Sequence, residues 1–283
     1  MPAVEAYRMA TLYPATYFRL DSEVGGIAPG RVADLLFLSS PHEPTPVQVM
    51  VNGKLQHAET EARLQQQQLQ FPWDSYLPPL QASAVEIAPA WFQIPANPTG
   101  LYPIIKLENA VITRLQEEPL PVKDSQVDLE GKSGYLLIAV LDKELRWITR
   151  GIIHGFAHQL HALASTYNSI NEIVVLGSSP AAMARAVEQV LALGGGIVLV
   201  EGDEPIYQLP LPLAGLVSPM ELEELIPRTE ELVQLLQERG YTHADPFYSL
   251  FFFTTTHLPT IRLTAQGLYL VKEREVIQPS ERL

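Results

Sequence analysis

Hydrophobic and polar positions divide this chain into a helical opening, a hairpin, a polar interval and a long alternating α/β stretch. After Pro2, the segment AVEAYRMATLY places Val4, Tyr7, Thr11 and Leu12 at helical spacing, with Met9 outside that stripe. Pro14 ends or restarts this helix. GGIAPGRVADLLFL (25–38) delivers the chain through a Gly-rich loop into a strand, ADLLFL (33–38). PVQVMVNGKLQ (46–56) follows as a second strand with a turn at Asn52-Gly53, a dipeptide suited to a turn whose central residues both need positive φ. A lone hairpin is marginal, and the first thirty residues contain no strand to offer it.

Residues 58–84 change character. ETEARLQQQQLQ is polar and helix-capable and PWDSYLPPLQA is Pro-rich, which marks a linker or domain boundary. A self-sufficient α/β pattern begins at residue 85. Its strand candidates are 102–107, 110–115, 134–142, 145–153 and 172–177. SSPAAMARAVEQVLALGGG (178–196) carries a Ser cap, Pro180 in the first turn, apolar Met183, Val187, Val190 and Leu191, and a glycine stop. Lying between EIVVLG and GIVLVEG (196–202), it predicts a β-α-β crossover. A second helix is predicted over 219–240, kinked or divided at Pro227. FYSLFFFTTTHLPTIRLTAQGLYLV (247–271) predicts at least two further strands, and no internal repeat is visible.

Composition narrows the classes. Apolar residues make up 47% and charged residues 18% of 283 positions, as in a well-folded globular chain that could form one large domain or two smaller ones. A formal charge of −13 without a Lys/Arg cluster argues against nucleic acid as a partner. The chain has no cysteine, which excludes disulfides, a thiolate nucleophile and Cys-based metal sites. MPAVEAYRMATLYP lacks the basic-then-apolar order of a signal peptide, and no apolar run is long enough for a membrane span; the expectation is a cytoplasmic protein without a membrane partner.

Candidate chemistry is sparse. His154, His158 and His161 would share one face of a helix and could then ligate a metal. Gly155 and the preceding strand-like run instead favour packing and loop hydrogen bonds. The Gly194–Gly196 run follows a helix, so it reads as a C-cap and turn and not as a phosphate cradle. EPIYQLPLPLAGLVS (204–218) has prolines that fix an extended path able to line a cleft or shape an interface. In THADPFYSLFFFTTTHLP, His257 could act as a general base, although a structural role suits it better. The chain shows no HxH pair and no set of metal-binding histidines and aspartate at strand ends, so no means of activating water is recognisable.

MATLYPATYFRLDSEVGGIAPGRVADLLFL followed by PVQVMVNGKL resembles the closing segment of amidohydrolase-superfamily enzymes, in which the last barrel helix returns to a small β-sandwich. ALASTYNSINEIVVLGSSPAAMARAVEQVLALGGGIVLVEGDEPIYQLPLPLAGLVS and ERGYTHADPFYSLFFFTTTHLPTIRLTAQGLYLV resemble the C-terminal domain of bacterial adenine deaminases, nearest to the branch in Bacillus-like bacteria. The implied fold is α/β: a last barrel helix and return loop (1–30), sandwich strands (31–60), a linker (61–84) and the deaminase C-terminal domain (85–283).

The resemblance further implies hydrolysis of adenine to hypoxanthine and ammonia, using Mn²⁺ or Fe²⁺ held by a barrel half that this chain lacks. No cofactor is therefore expected in the chain alone. The implied partners are that barrel half or a polypeptide supplying it, a purine and possible homodimer formation. Better-studied adenine deaminases carry an Ala-His-Asp-Ser-His-Asn pattern where this chain has Thr166, Tyr167, Asn168, Ser169, Ile170 and Asn171. Neither Tyr167 nor Asn168 supplies an acid–base group that titrates near neutrality. Tyr167, Asn168, Asn171, the Gly194–Gly196 turn and His257 are the candidate site residues. Two readings stay open: part of a deaminase-like hydrolase, acting on adenine or on another purine or cyclic amide, or a non-catalytic scaffold or interaction protein.

Overall fold

The computed structural model describes residues 1–56 and 86–283. The chain divides into two compact units, Met1–Pro72 and Trp73–Leu283. The interval expected to be a linker (61–84) lies outside the described residues.

In the first unit, α1 (Ala3–Ala10) follows Pro2 and carries Glu5 in its first turn and Arg8 in its last, each complementing the helix dipole. A second helix, α2 (Leu12–Tyr17), restarts at Thr11. Pro14 sits in its first turn, where a missing N–H costs nothing, so the helix restarts around the proline as expected. The expected packed stripe needs correction. Tyr7 and Leu12 are half-buried, but Val4 and Thr11 are exposed and the buried residue is Ala15. Gly25, with φ +90°, explains the Gly-rich loop: a Cβ there would lie 2.4 Å from Ala15 Cβ.

The chain then enters β1 (Leu35–Leu38), β2 (Pro46–Val51) and β3 (Lys54–Leu55), paired antiparallel in that order. Asn52 and Gly53 both take positive φ in the β2–β3 turn, as the dipeptide predicts. The Asn52 amide donates to Asp34 Oδ1 (2.6 Å), pinning the turn to the approach into β1.

The second unit is built on a nine-stranded mixed sheet that does not close into a barrel. It contains β4 (Leu101–Leu107), β5 (Thr113–Pro119), β8 (Tyr135–Leu141), β9 (Trp147–His154), β10 (Ala162–Ser165), β11 (Ile173–Gly177), β12 (Gly196–Glu201), β13 (Glu204–Pro210) and, beside β9 only, the short β17 (Glu281–Arg282). A short hairpin of β6 (Val122–Lys123) and β7 (Gln126–Val127) lies outside it. The order is β13-β12-β10-β11-β8-β9-β4-β5; β4 and β9 are parallel and the other pairs antiparallel. The strand expected at 110–115 starts later, because Asn109 Oδ1 accepts from the Val111 and Ile112 amides and holds a turn there.

The crossover appears with one addition. Helix α3 (Pro180–Ala192), capped by Ser179 Oγ accepting from the Ala182 amide (3.3 Å), joins β11 to β12. Both strands are antiparallel to β10, which lies between them, so they are parallel to each other but not adjacent. Alanine-rich ALAS gives no strong strand signal, and its strand character comes from two flanking partners.

Alternation sorts side chains onto two faces. Ile104, Leu137, Ala139, Val175 and Val198 pack with α3 and a 3₁₀ turn at Pro89–Phe92. Ile105, Ile138, Val140, Val174 and Leu199 pack beneath α4 (Leu222–Glu238), α5 (Pro246–Phe252) and the strands β14 (Ile261–Thr264) and β15 (Gly267–Leu270). Strand β16 (Glu275–Pro279) pairs with β15, and β17 (Glu281–Arg282) pairs with β9.

This layer contains the two strands expected within 247–271, β14 and β15, and differs from the expected pattern in two details. Helix α4 runs through Pro227, which lies in its exposed first two turns and does not divide it, and the helix begins at Leu222 and not at Pro219. Those strands begin only at Ile261, because FYSLFF (247–252) is taken into helix α5: Asp245 Oδ1 accepts from the Phe247 amide (2.8 Å) and Pro246 occupies the first turn. Among the described residues no helix is long and apolar enough to cross a membrane.

Candidate functional site

Three separated segments meet beyond the β10 end of the sheet: the loop 166–171, the turn 194–196 and the extended run 209–218. Thr166 ties them together. Its hydroxyl donates to the Gly215 carbonyl (2.6 Å) and accepts from the Gly196 amide (2.8 Å). Backbone approaches backbone here. A Cβ on Gly195 would lie 2.6 Å from Gly215 Cα, and one on Gly196 would lie 2.3 Å from the Leu209 carbonyl oxygen. Gly194 and Gly195 also donate to the Leu191 and Val190 carbonyls, closing α3. The three glycines thus act as a helix stop and a close-contact turn.

Asn168 is buried and organises its own loop. Its Nδ2 donates to the carbonyls of Glu172 (2.5 Å) and Thr166 (3.2 Å), while Oδ1 accepts from the Ile170 and Glu172 amides. With both ends engaged by backbone, it has a positioning role. Asn171 takes φ +55°, and its Oδ1 is buried without a hydrogen-bond partner among the described residues.

Tyr167 turns the other way, into a cavity of about 620 Å³. The Pro-spaced run contributes Leu209, Leu211, Val217 and Ser218; α4 and the α5 region contribute Leu225, Glu230, Asp245, Phe247 and Tyr248. The Tyr167 ring packs edge-on to Phe247 at 6.3 Å and tilted against Phe251 at 5.2 Å. Burial raises the Tyr167 pKa above the ordinary phenol value, with the Asp245 carboxylate adding to the effect, so the hydroxyl stays protonated at neutral pH. Sequence reasoning missed the walls supplied by Glu230, Phe247 and Tyr248. The Asp245-Pro246 pair was the available signal, since it announces a helix start.

His257 stands apart. It lines a second cavity of about 370 Å³, on the side of the same loop marked by Ser169 and Ile170, with Glu172, Thr254, Thr255 and Thr256. Ser169 and Thr254 hydroxyls are 2.8 Å apart there. Burial raises the Glu172 pKa, although its Oε2 accepts from the Lys143 amide (2.9 Å).

His158 and His161 line one cavity of about 670 Å³, but each of the three histidines is engaged locally. His154 ends β9 and stacks on Tyr135 (4.4 Å, 27°), and burial depresses its pKa. His158 Nδ1 is 3.3 Å from Ser133 Oγ. His161 Nδ1 accepts from the Gly202 amide (2.7 Å). Among the described residues no group of three His, Cys, Asp or Glu side chains could hold a metal ion. The described donors therefore do not fit a Mn²⁺ or Fe²⁺ pair.

Comparison with known proteins matches residues 110–275 to the family described as "Adenine deaminase C-terminal domain". The chain belongs to that family. Residues 1–56 match the amidohydrolase family. The chain is 36% identical over 99% of its length to 47% of a Halalkalibacterium halodurans protein named "Putative adenine deaminase". It is 32% identical, again over 99% of its length, to 46% of a Bacillus cereus protein of the same name. A Desulforamulus reducens protein named "Adenine deaminase" is 29% identical over 97% of this chain and 47% of its own length. The chain spans about half the length of these curated relatives, matching the C-terminal portion. Within this family assignment, the Thr166–Asn171 loop, the glycine turn and the Pro-spaced run all lie inside the matched C-terminal domain.

Proposed function

We propose that this chain is the C-terminal portion of an adenine deaminase-like hydrolase, converting adenine and water to hypoxanthine and ammonia in purine salvage in the cytoplasm. In that reaction an oxygen from water bonds to C6 of the base, and the exocyclic nitrogen leaves as ammonia. The observation that carries the reading is the ordered pair of family matches, amidohydrolase then adenine deaminase C-terminal domain, in a chain spanning half of its relatives.

The metal pair and the groups that activate water belong, on this reading, to a barrel half that works with this chain. The domain division follows: residues 1–30 supply a barrel helix and return loop, 31–60 sandwich strands, 61–84 a linker and 85–283 the C-terminal domain. Tyr167 and the loop held by Asn168 would form a wall beside the barrel mouth, with Asn171, the Gly194–Gly196 turn and His257 at secondary positions.

The test is an assay of hypoxanthine and ammonia release from adenine, with other aminopurines run alongside and Mn²⁺ or Fe²⁺ supplied. The 283-residue chain is expected to show no turnover alone and metal-dependent turnover when combined with a polypeptide spanning the first half of a relative. Metal-dependent turnover by the isolated chain would overturn the division of labour. Preference for another aminopurine would replace the substrate. Failure of the combined polypeptides favours the scaffold reading.

A further inference from the structure

We infer that the cavity beside Tyr167 binds an organic cation, a protonated or quaternary amine joined to an apolar body. The inference does not depend on the deaminase reading, because it concerns a ligand of this chain alone.

The cavity walls combine two features. Tyr167, Phe247 and Tyr248 present aromatic surface, and Leu209, Leu211 and Leu225 extend an apolar floor. The formal charges on the lining are both negative, Asp245 and Glu230; no Lys, Arg or His lines the cavity among the described residues. Arg228, two residues before Glu230, is directed elsewhere: its guanidinium donates to the Gln208 carbonyl and lies 5.3 Å from the Tyr207 ring. Asp245 spends Oδ1 on the Phe247 amide, and its Oδ2 makes no hydrogen bond among the described residues. Tyr167 likewise makes no side-chain hydrogen bond there.

Such a lining discriminates by charge. Aromatic faces attract a cation through their quadrupole, and a carboxylate beside them adds a charge-assisted hydrogen bond to an ammonium. An anion would meet two like charges. A neutral ligand would gain the apolar contacts but leave the carboxylates unmatched. At about 620 Å³ the cavity falls within the range that encloses small organic molecules. The formal charge of −13 favours cation approach over long range.

The experiment titrates the 283-residue chain with benzylamine, benzyltrimethylammonium, benzyl alcohol and benzoate, followed by calorimetry. Both cations should bind about tenfold more tightly than benzyl alcohol, and benzoate should not bind. Asp245→Asn keeps the helix cap, and Glu230→Gln alters an exposed side chain; each removes a negative charge, and should weaken both cations about fivefold and leave benzyl alcohol unchanged. Asp128→Asn, in a different cavity, should change nothing. Equal affinity for alcohol and amine, binding of benzoate, indifference to both cavity substitutions, or no binding of any probe would each overturn the inference.

Discussion

The β1–β3 sheet and the nine-stranded sheet start from similar sequence signals and end in different states. No residue of β1, β2 or β3 is buried, and Leu36, Phe37, Val47 and Val51 are exposed. In the second unit, every residue of β10 and β11 is buried. A strand is half a structure, and burial comes only from a layer packed on its face. The large sheet receives such layers on both faces from its own unit, so its apolar side chains contribute the hydrophobic term in full.

The largest expected effect therefore lies in β11. Leu176→Ala should cost about 2–5 kcal/mol by leaving a cavity under the second helical layer, read from urea denaturation of the larger unit. In hydrogen exchange, the amides of Val174–Leu176 should open only with global unfolding, whereas those of β1 should exchange faster. Equal protection in both sheets would break the comparison.

Gly196→Ala should cost about 2–3 kcal/mol, since φ is +151° and a Cβ would collide with the Leu209 carbonyl oxygen. The same denaturation assay measures it. A neutral result would remove the close-contact role of the glycine turn.

Asp142 gives a smaller, pH-dependent effect. It is buried and accepts from the Arg146 guanidinium and amide, and the Arg146 hydrogen bond holds its carboxyl pKa below the ordinary value. A depressed folded-state pKa means that this stability is present above the unfolded aspartate pKa and is lost as pH falls through the folded value. Asp142→Asn should cost about 1–2 kcal/mol at neutral pH and flatten the acid limb of a stability–pH curve. The smallest effect is expected for Leu36→Ala, within about 0.5 kcal/mol, because its side chain is 64% exposed. A loss matching that of Leu176→Ala would show that the small sheet is as well covered as the large one.

Much of the fold was legible. Ser179-Pro180 marked the start of α3, and Asn52-Gly53 marked its hairpin turn. The β5 boundary and the α5 helix were not read correctly, because Asn109 and Asp245 set them through short side-chain-to-backbone bonds that aromatic or β-branched content obscures. The site was legible only in pieces. Tyr167, the glycine turn and the Pro-spaced run were each visible as local features, but nothing local tied them to one another. His257 appeared a comparable candidate, yet the fold places it in a different cavity.

Sequence by itself determined the α/β class, the crossover helix and the family resemblance, since each depends on periodicity, caps and motifs within a short span. Tertiary structure alone decided that β10 lies between β11 and β12, that Gly196 and Gly215 meet at Thr166, and that Asp245 and Glu230 face the same cavity as Tyr167. Those outcomes depend on which distant segments can approach without steric conflict, and that is a property of the packed chain.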